Sequence, residues 1–129
     1  MAGREHALAR DLWLQRLTQL GRVEELLGET ADIARFEIAS PPEKVASQFG
    51  TWTRITGALA RVEAALVILE LLEGPSLPEI KQMTVDRRRM NTPPQQVVGD
   101  TMSALEALRH LSETDPSFKP PDGSPRQRG

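Results

Sequence analysis

The chain has 129 residues, with 16 Lys and Arg against 18 Asp and Glu and a formal net charge of -2. This length supports one small domain, and the near-balanced charge provides no general attraction to nucleic acid or to an anionic membrane. The absence of cysteine excludes disulfides, thiolate nucleophiles, thiolate zinc sites and iron–sulfur clusters. Hydrophobic residues make up 39% of the chain and aromatic residues 4%, so part of the chain is expected to lie outside the core.

No apolar run approaches the roughly 20 residues that a membrane-spanning helix needs. The longest run, residues 64–69, is followed at once by Glu70 and then by Glu73. The first six residues lack the apolar stretch of a signal peptide. We therefore expect an intracellular, cytoplasmic protein with no membrane partner.

Prolines divide the chain into segments whose apolar residues recur at helical spacing, and no segment alternates as a strand does. The first segment predicts a helix from about Arg4 to Leu27, ended by Gly28 as its C′ residue, and a shorter helix over 30–38. The predicted apolar stripe of this first helix contains Leu8, Leu12, Trp13, Leu17, Leu20, Val23, Leu26 and Leu27.

The region from about Pro42 to Glu73 has the strongest periodicity, two series of residues that are seven apart and offset by three. The series are Val45, Trp52, Leu59 and Leu66, and Gln48, Ile55, Val62 and Leu69. Such a pattern is typical of a helix in a coiled coil or a bundle. Six members form what we call the inner stripe: Trp52, Ile55, Leu59, Val62, Leu66 and Leu69. This stripe is interpreted either as part of the core or as a partner-binding surface. Apolar residues on all sides over 64–72 predict several neighbouring helices there, at the centre of the fold.

Two further helices follow. Ser76 is predicted to cap a short helix from Leu77 to about Arg89, and Thr92 to cap a last helix that runs to about residue 112. From residue 116 onward the chain is rich in Pro and Gly and net basic, which predicts a disordered tail. The predicted fold is an all-α irregular bundle of two long and two or three short helices, with a helical domain over 1–115 and the tail over 116–129.

Few side chains are suited to catalysis or metal binding. His6 is near the N-terminus, and His110 follows Glu106 by one helical turn without the second copy that a di-iron bundle contains. No phosphate-binding loop, nucleophile elbow or zinc-protease motif occurs. A row of glutamates is interpreted as a solvated helix face: Glu63, Glu70 and Glu73. We therefore predict no catalytic residue, no metal and no cofactor.

Arginines supply the candidate site for an alternative function, contact with phosphate. Arg87, Arg88 and Arg89 end the short helix, where they also complement the helix dipole, and both interpretations stay open. Arg54 and Arg61 are seven residues apart and share one face of the second long helix. Because acidic residues outnumber basic ones, these five arginines predict at most weak nucleic-acid binding by the chain on its own.

The leading functional hypothesis is a non-catalytic helical assembly or adaptor subunit that binds a protein partner or itself. The inner stripe, the scarcity of catalytic side chains and the surplus of apolar residues over 64–72 favour it. By analogy only, small helical subunits of viral or bacterial nucleoprotein machines share this kind of composition. A nucleic-acid-binding module that uses the arginines is the alternative, and an enzyme is the remote one.

Overall fold

The computed structural model describes residues 2–40, 45–89 and 92–121. Its elements are α1 (Ala2–Ala39), α2 (Val45–Leu71), α3 (Pro78–Arg89), α4 (Pro94–Thr114) and a 3₁₀ turn (Pro116–Phe118). The residues in these ranges form no strand, and the predicted all-α bundle is confirmed. None of the helices that the structure describes combines the length and apolar character needed to cross a bilayer.

The helices α1 and α2 are antiparallel, as two contacts show. Gln19, halfway along α1, donates from Nε2 to the carbonyl oxygen of Ala65 near the end of α2, at 3.0 Å. Glu37, late in α1, accepts from Nε of Arg54 early in α2, at 2.8 Å. The connection between the two helices is correspondingly short.

The next two helices continue the up-down pattern and close the bundle. Glu70 of α2 pairs with Lys81 of α3, and Glu63 pairs with Arg88, so α3 is antiparallel to α2. α4 turns back beside α3 and packs extensively on α1. Each helix therefore contacts its two neighbours in a ring, and α2 lies diagonally across the bundle from α4.

Two connected groups of buried side chains fill the interior. The larger group includes Leu20, Val23, Leu27, Val62, Leu66, Leu69, Ile80, Leu108 and Phe118. The smaller group contains Ala34, Ile55, Leu59 and Val97. Five members of the inner stripe are fully buried in these groups and Trp52 is half-buried. The side chains of Val45 and Gln48, and the predicted helix start at Pro42, lie outside the described residues.

The predicted break in the first helix at Gly28 is wrong, because α1 continues to Ala39. Gly28 does not adopt a left-handed conformation. The hydroxyl of Thr30 donates to the carbonyl oxygen of Leu26 at 2.8 Å, and Ala34 packs in the smaller core group. Burial of this second half of α1 outweighs the roughly 1 kcal/mol by which Gly disfavours a helix interior.

The first turns of α1 extend past the rest of the bundle. Residues 4–11 are all exposed, and α1 has 38 residues against 27 in α2 and 21 in α4. Leu8 consequently lies outside the core, contrary to its place in the predicted stripe. Burial along α1 begins at Trp13.

Both predicted hydroxyl caps are wrong, because the two hydroxyls bind the preceding helix instead. Ser76 donates to Oε2 of Glu70 at 3.0 Å, and α3 begins at Pro78. Thr92 donates to the carbonyl oxygen of Arg87 at 3.2 Å. The cap of α4 is Pro93, which provides no side-chain hydrogen bond.

The packed body extends past the predicted boundary at residue 115. Phe118 is 2% exposed and belongs to the larger core group, so residues 116–118 are not part of an unpacked tail. Oδ1 of Asp115 accepts from the amide of Ser117 at 2.7 Å and turns the chain back toward the core. Residues 122–129 of the predicted tail lie outside the described residues.

Candidate docking face

α2 carries a second heptad series on the side that faces away from the core. The members, which we call the outer stripe, are Thr53, Gly57, Ala60, Ala64, Val67 and Leu71. Successive members are four, three, four, three and four residues apart, the spacing of helix residues that face one partner. Leu69 and Leu71 are two residues apart and so about 200° apart around the helix, which puts one in the core and the other outside.

The apolar end of the outer stripe is open to solvent. Leu71 is 77% exposed and Val67 42%, and the flanking residues Phe49 and Ile68 are 66% and 48% exposed. The expectation that several helices surround residues 64–72 is therefore wrong. Among the described residues, α2 occupies a corner of the bundle with α1 and α3 as its neighbouring helices, which leaves its outer half uncovered.

The middle of the outer stripe consists of small residues that leave the helix backbone accessible. A Cβ atom added at Gly57 would meet no heavy atom within 4 Å. Ala64 is exposed and Ala60 half-exposed. A partner helix could therefore approach α2 closely here, because interaxial distance depends on the side chains at the contact.

The outer stripe has one charged neighbour that remains unpaired. Arg61 is exposed and forms no ion pair within the described residues. The other charged side chains beside the stripe are neutralised in ion pairs: Arg54 with Glu37, Glu63 with Arg88, and Glu70 with Lys81. The face is thus uncharged and largely apolar, and Arg61 is the unpaired charge at its edge among the described residues.

Glu37 is a buried carboxylate that sequence reasoning did not single out. It is 4% exposed and accepts from Oγ1 of Thr51 at 2.9 Å and from the guanidinium of Arg54. Burying this charge requires such partners. Glu37 therefore fixes α1 against α2, and it holds Arg54 on the α1 side of the outer stripe.

The five candidate phosphate-contacting arginines point in different directions. Arg54 is paired with α1 as described, and Arg87 forms an ion pair with Asp100 of α4, with Nε and Oδ2 2.5 Å apart. Arg88 donates from Nη2 to both carboxylate oxygens of Glu63, at 3.0 and 2.9 Å. Only Arg61 and Arg89 lack an ion pair within the described residues, so the five do not form one basic surface.

Two glutamates predicted to be solvated instead connect α2 to α3. Glu63 is half-buried against Arg88. Glu70 accepts from Nζ of Lys81 at 3.1 Å and from the hydroxyl of Ser76 at 3.0 Å. These two hydrogen bonds, that from Lys81 above all, lower the pKa of Glu70 below its ordinary value.

A groove of about 540 Å³ lies between α3 and α4, the neighbouring helices that pack least closely in the bundle. Ile80 and Met83 line it from α3, and Ala104 and Ala107 line it from α4. The carboxylates of Glu79, Asp86 and Asp100 border it.

The described part of the chain has no group of three His, Cys, Asp or Glu side chains placed to hold a metal ion, and His6 and His110 are both exposed.

No known protein family, curated protein or solved structure matches the chain. The functional proposal therefore depends on the structure itself, and the outer stripe is the feature that supports it. In the sequence, the outer stripe is visible as a second heptad series in α2. The first half of that series consists of Gly, Ala and Thr, so large apolar residues mark only its second half.

Proposed function

We propose that this chain is a non-catalytic helical assembly module that binds protein through the outer stripe of α2. The observation that carries the proposal is a helix with heptad spacing on two opposite faces, of which the bundle covers one. Clustered exposed apolar side chains on a small domain are typical of protein-binding surfaces.

The inner stripe is less suited to this purpose, because five of its six side chains are buried in the core of the chain. Leu59, Val62 and Leu69 are fully buried. A partner could reach them only by opening the bundle. Leu71, Val67 and Ile68 are exposed and available without any rearrangement, and removing such apolar side chains from water favours association.

A photo-crosslinking residue placed at Ala64 tests the proposal in cells that express the full chain. Ala64 lies on the outer stripe and is exposed. The matched control position is Gly21, an exposed residue of α1 with open space around it. The expected result is a discrete protein adduct from position 64 and none from position 21. No adduct at position 64, adducts of equal yield at both positions, or adducts with nucleic acid alone would overturn the proposal.

A further inference from the structure

We infer that the outer stripe pairs with the outer stripe of a second copy of this chain, antiparallel, about a two-fold axis that passes by Ala60. This inference rests on the proposed function and adds the identity of the partner. A closed two-fold dimer requires a surface that is complementary to itself after rotation. The outer stripe has that property.

The residues on either side of Ala60 match in size. Thr53 and Val67, seven residues before and after it, are β-branched side chains of the same shape. Phe49 and Leu71, eleven residues before and after, are large and exposed. An antiparallel pair places Thr53 of one copy against Val67 of the other, and Phe49 of one copy against Leu71 of the other.

The small residues favour the antiparallel arrangement over a parallel one. Antiparallel pairing about Ala60 puts Gly57 of one copy near Ala64 of the other. Parallel pairing would put Gly57 opposite Gly57, where neither helix contributes a side chain, and would leave a gap at that position. A void in an interface costs stability.

Arg61 determines the sign of the electrostatic contribution to dimerisation, which is unfavourable. A two-fold axis perpendicular to the helices brings equivalent edges together, so the two Arg61 side chains lie on the same edge close to the axis. They are exposed and remain hydrated. Repulsion between them is screened by salt, so added salt should strengthen the dimer by about twofold.

The small size of the face limits how stable the dimer can be. From Phe49 to Leu71 the helix extends about 33 Å and is about 10 Å wide. Two such faces bury on the order of 700 Å², below the 1,200 Å² or so of standard stable interfaces. The expected dimer is therefore reversible, with dissociation in the micromolar range or weaker.

Sedimentation velocity of the purified full chain, from low micromolar to near-millimolar concentration, tests the inference. Gly57→Leu should weaken dimerisation by about tenfold or more, because the new side chain holds the two helices apart. The space around Gly57 is open within one copy, so this variant should fold normally. Gly21→Leu is the matched control and should dimerise like the unmodified chain. A surface that is merely adhesive would associate more strongly with leucine at position 57, and that result would overturn the inference.

Single cysteines establish the orientation, since the chain has none of its own. Ala60→Cys should form a disulfide-linked dimer on mild oxidation, because only residues near the axis meet their equivalents. Leu71→Cys alone should not, whereas a mixture of Phe49→Cys and Leu71→Cys chains should form the mixed dimer. Equal linkage of Leu71→Cys to itself would indicate a parallel pair and overturn the inference.

The two proposals can fail separately. A purely monomeric chain at all concentrations, together with a protein adduct at position 64 in cells, removes the second copy and keeps the docking function. A monomeric chain without any such adduct removes both.

Discussion

Arg88 on the third helix holds Glu63 on the second through both carboxylate oxygens, at 3.0 and 2.9 Å, while the adjacent Arg89 is exposed and has no ion pair within the described residues. Two neighbouring arginines in one run of three thus have different environments. Comparing the effects of substituting Arg88 and Arg89 on stability tests whether Arg88 connects α3 to α2.

Replacing Arg88 with Met should lower the free energy of unfolding by about 1 kcal/mol, because a partly buried, two-oxygen ion pair is lost. Arg89→Met should change it by less than about 0.5 kcal/mol. Urea unfolding monitored by circular dichroism measures both. Equal effects of the two variants would show that Arg88 does not connect α2 to α3.

Phe118→Ala should destabilise the chain by about 3–5 kcal/mol, as expected for a large aromatic residue removed from a core. The side chain is 2% exposed and packs in the larger core group. Lys119→Ala, at the exposed position that follows, is the control and should have little effect. A melting temperature that is unchanged by Phe118→Ala would place the body's end before residue 116, as the sequence predicted.

At the end of α2, substitutions at the adjacent residues Glu73 and Gly74 are expected to change stability in opposite directions. Glu73 has a φ of 61°, and the amide of Gly74 donates to the carbonyl oxygen of Leu69 at 3.1 Å, which is a Schellman ending. Glu73→Gly should stabilise the chain by about 1 kcal/mol, because glycine adopts a left-handed conformation without strain.

Gly74→Ala should destabilise the chain by about 1–3 kcal/mol. An added Cβ would lie 2.8 Å from both Cδ1 and the carbonyl oxygen of Leu69. Gly28→Ala, where the space is open, is the control and should be neutral or stabilising by up to about 1 kcal/mol. Thermal melts of the three variants measure these differences, and a stabilising Gly74→Ala would contradict the close contact.

The lowered pKa of Glu70 predicts a pH dependence with a definite sign. Its hydrogen bonds from Lys81 and Ser76 favour the ionised carboxylate in the folded state. The resulting stability is therefore present above the ordinary pKa of 4.5 and is lost as pH falls through the lower folded-state pKa. Glu70→Gln should reduce the loss of stability on acidification below pH 4.5.

Urea midpoints measured over a pH series for the unmodified chain and for Glu70→Gln test this dependence. Glu106→Gln, at an exposed position of α4, controls for the removal of one carboxylate. An acid dependence that is the same in the unmodified chain and in both variants would rule out the predicted contribution of Glu70.

The fold class and the inner stripe could be predicted from the sequence because both depend on local periodicity. Residues such as Ile55, Leu59 and Leu66 recur every three or four positions, and a helix turns all of them to one side whatever surrounds it. The helix ends near Arg89 and Leu71 are likewise marked by nearby prolines and a glycine. These features require no knowledge of the neighbouring helices.

The tertiary structure alone determined which faces are covered and which charges are paired. Gly28 lies inside α1 because the residues after it pack on other helices, and Arg88 differs from Arg89 because Glu63 of α2 is within reach of only one of them. Leu69 is buried and Leu71 is exposed because α2 occupies a corner of the bundle. Each of these outcomes depends on residues far apart in the chain, and local periodicity carries no information about their contacts.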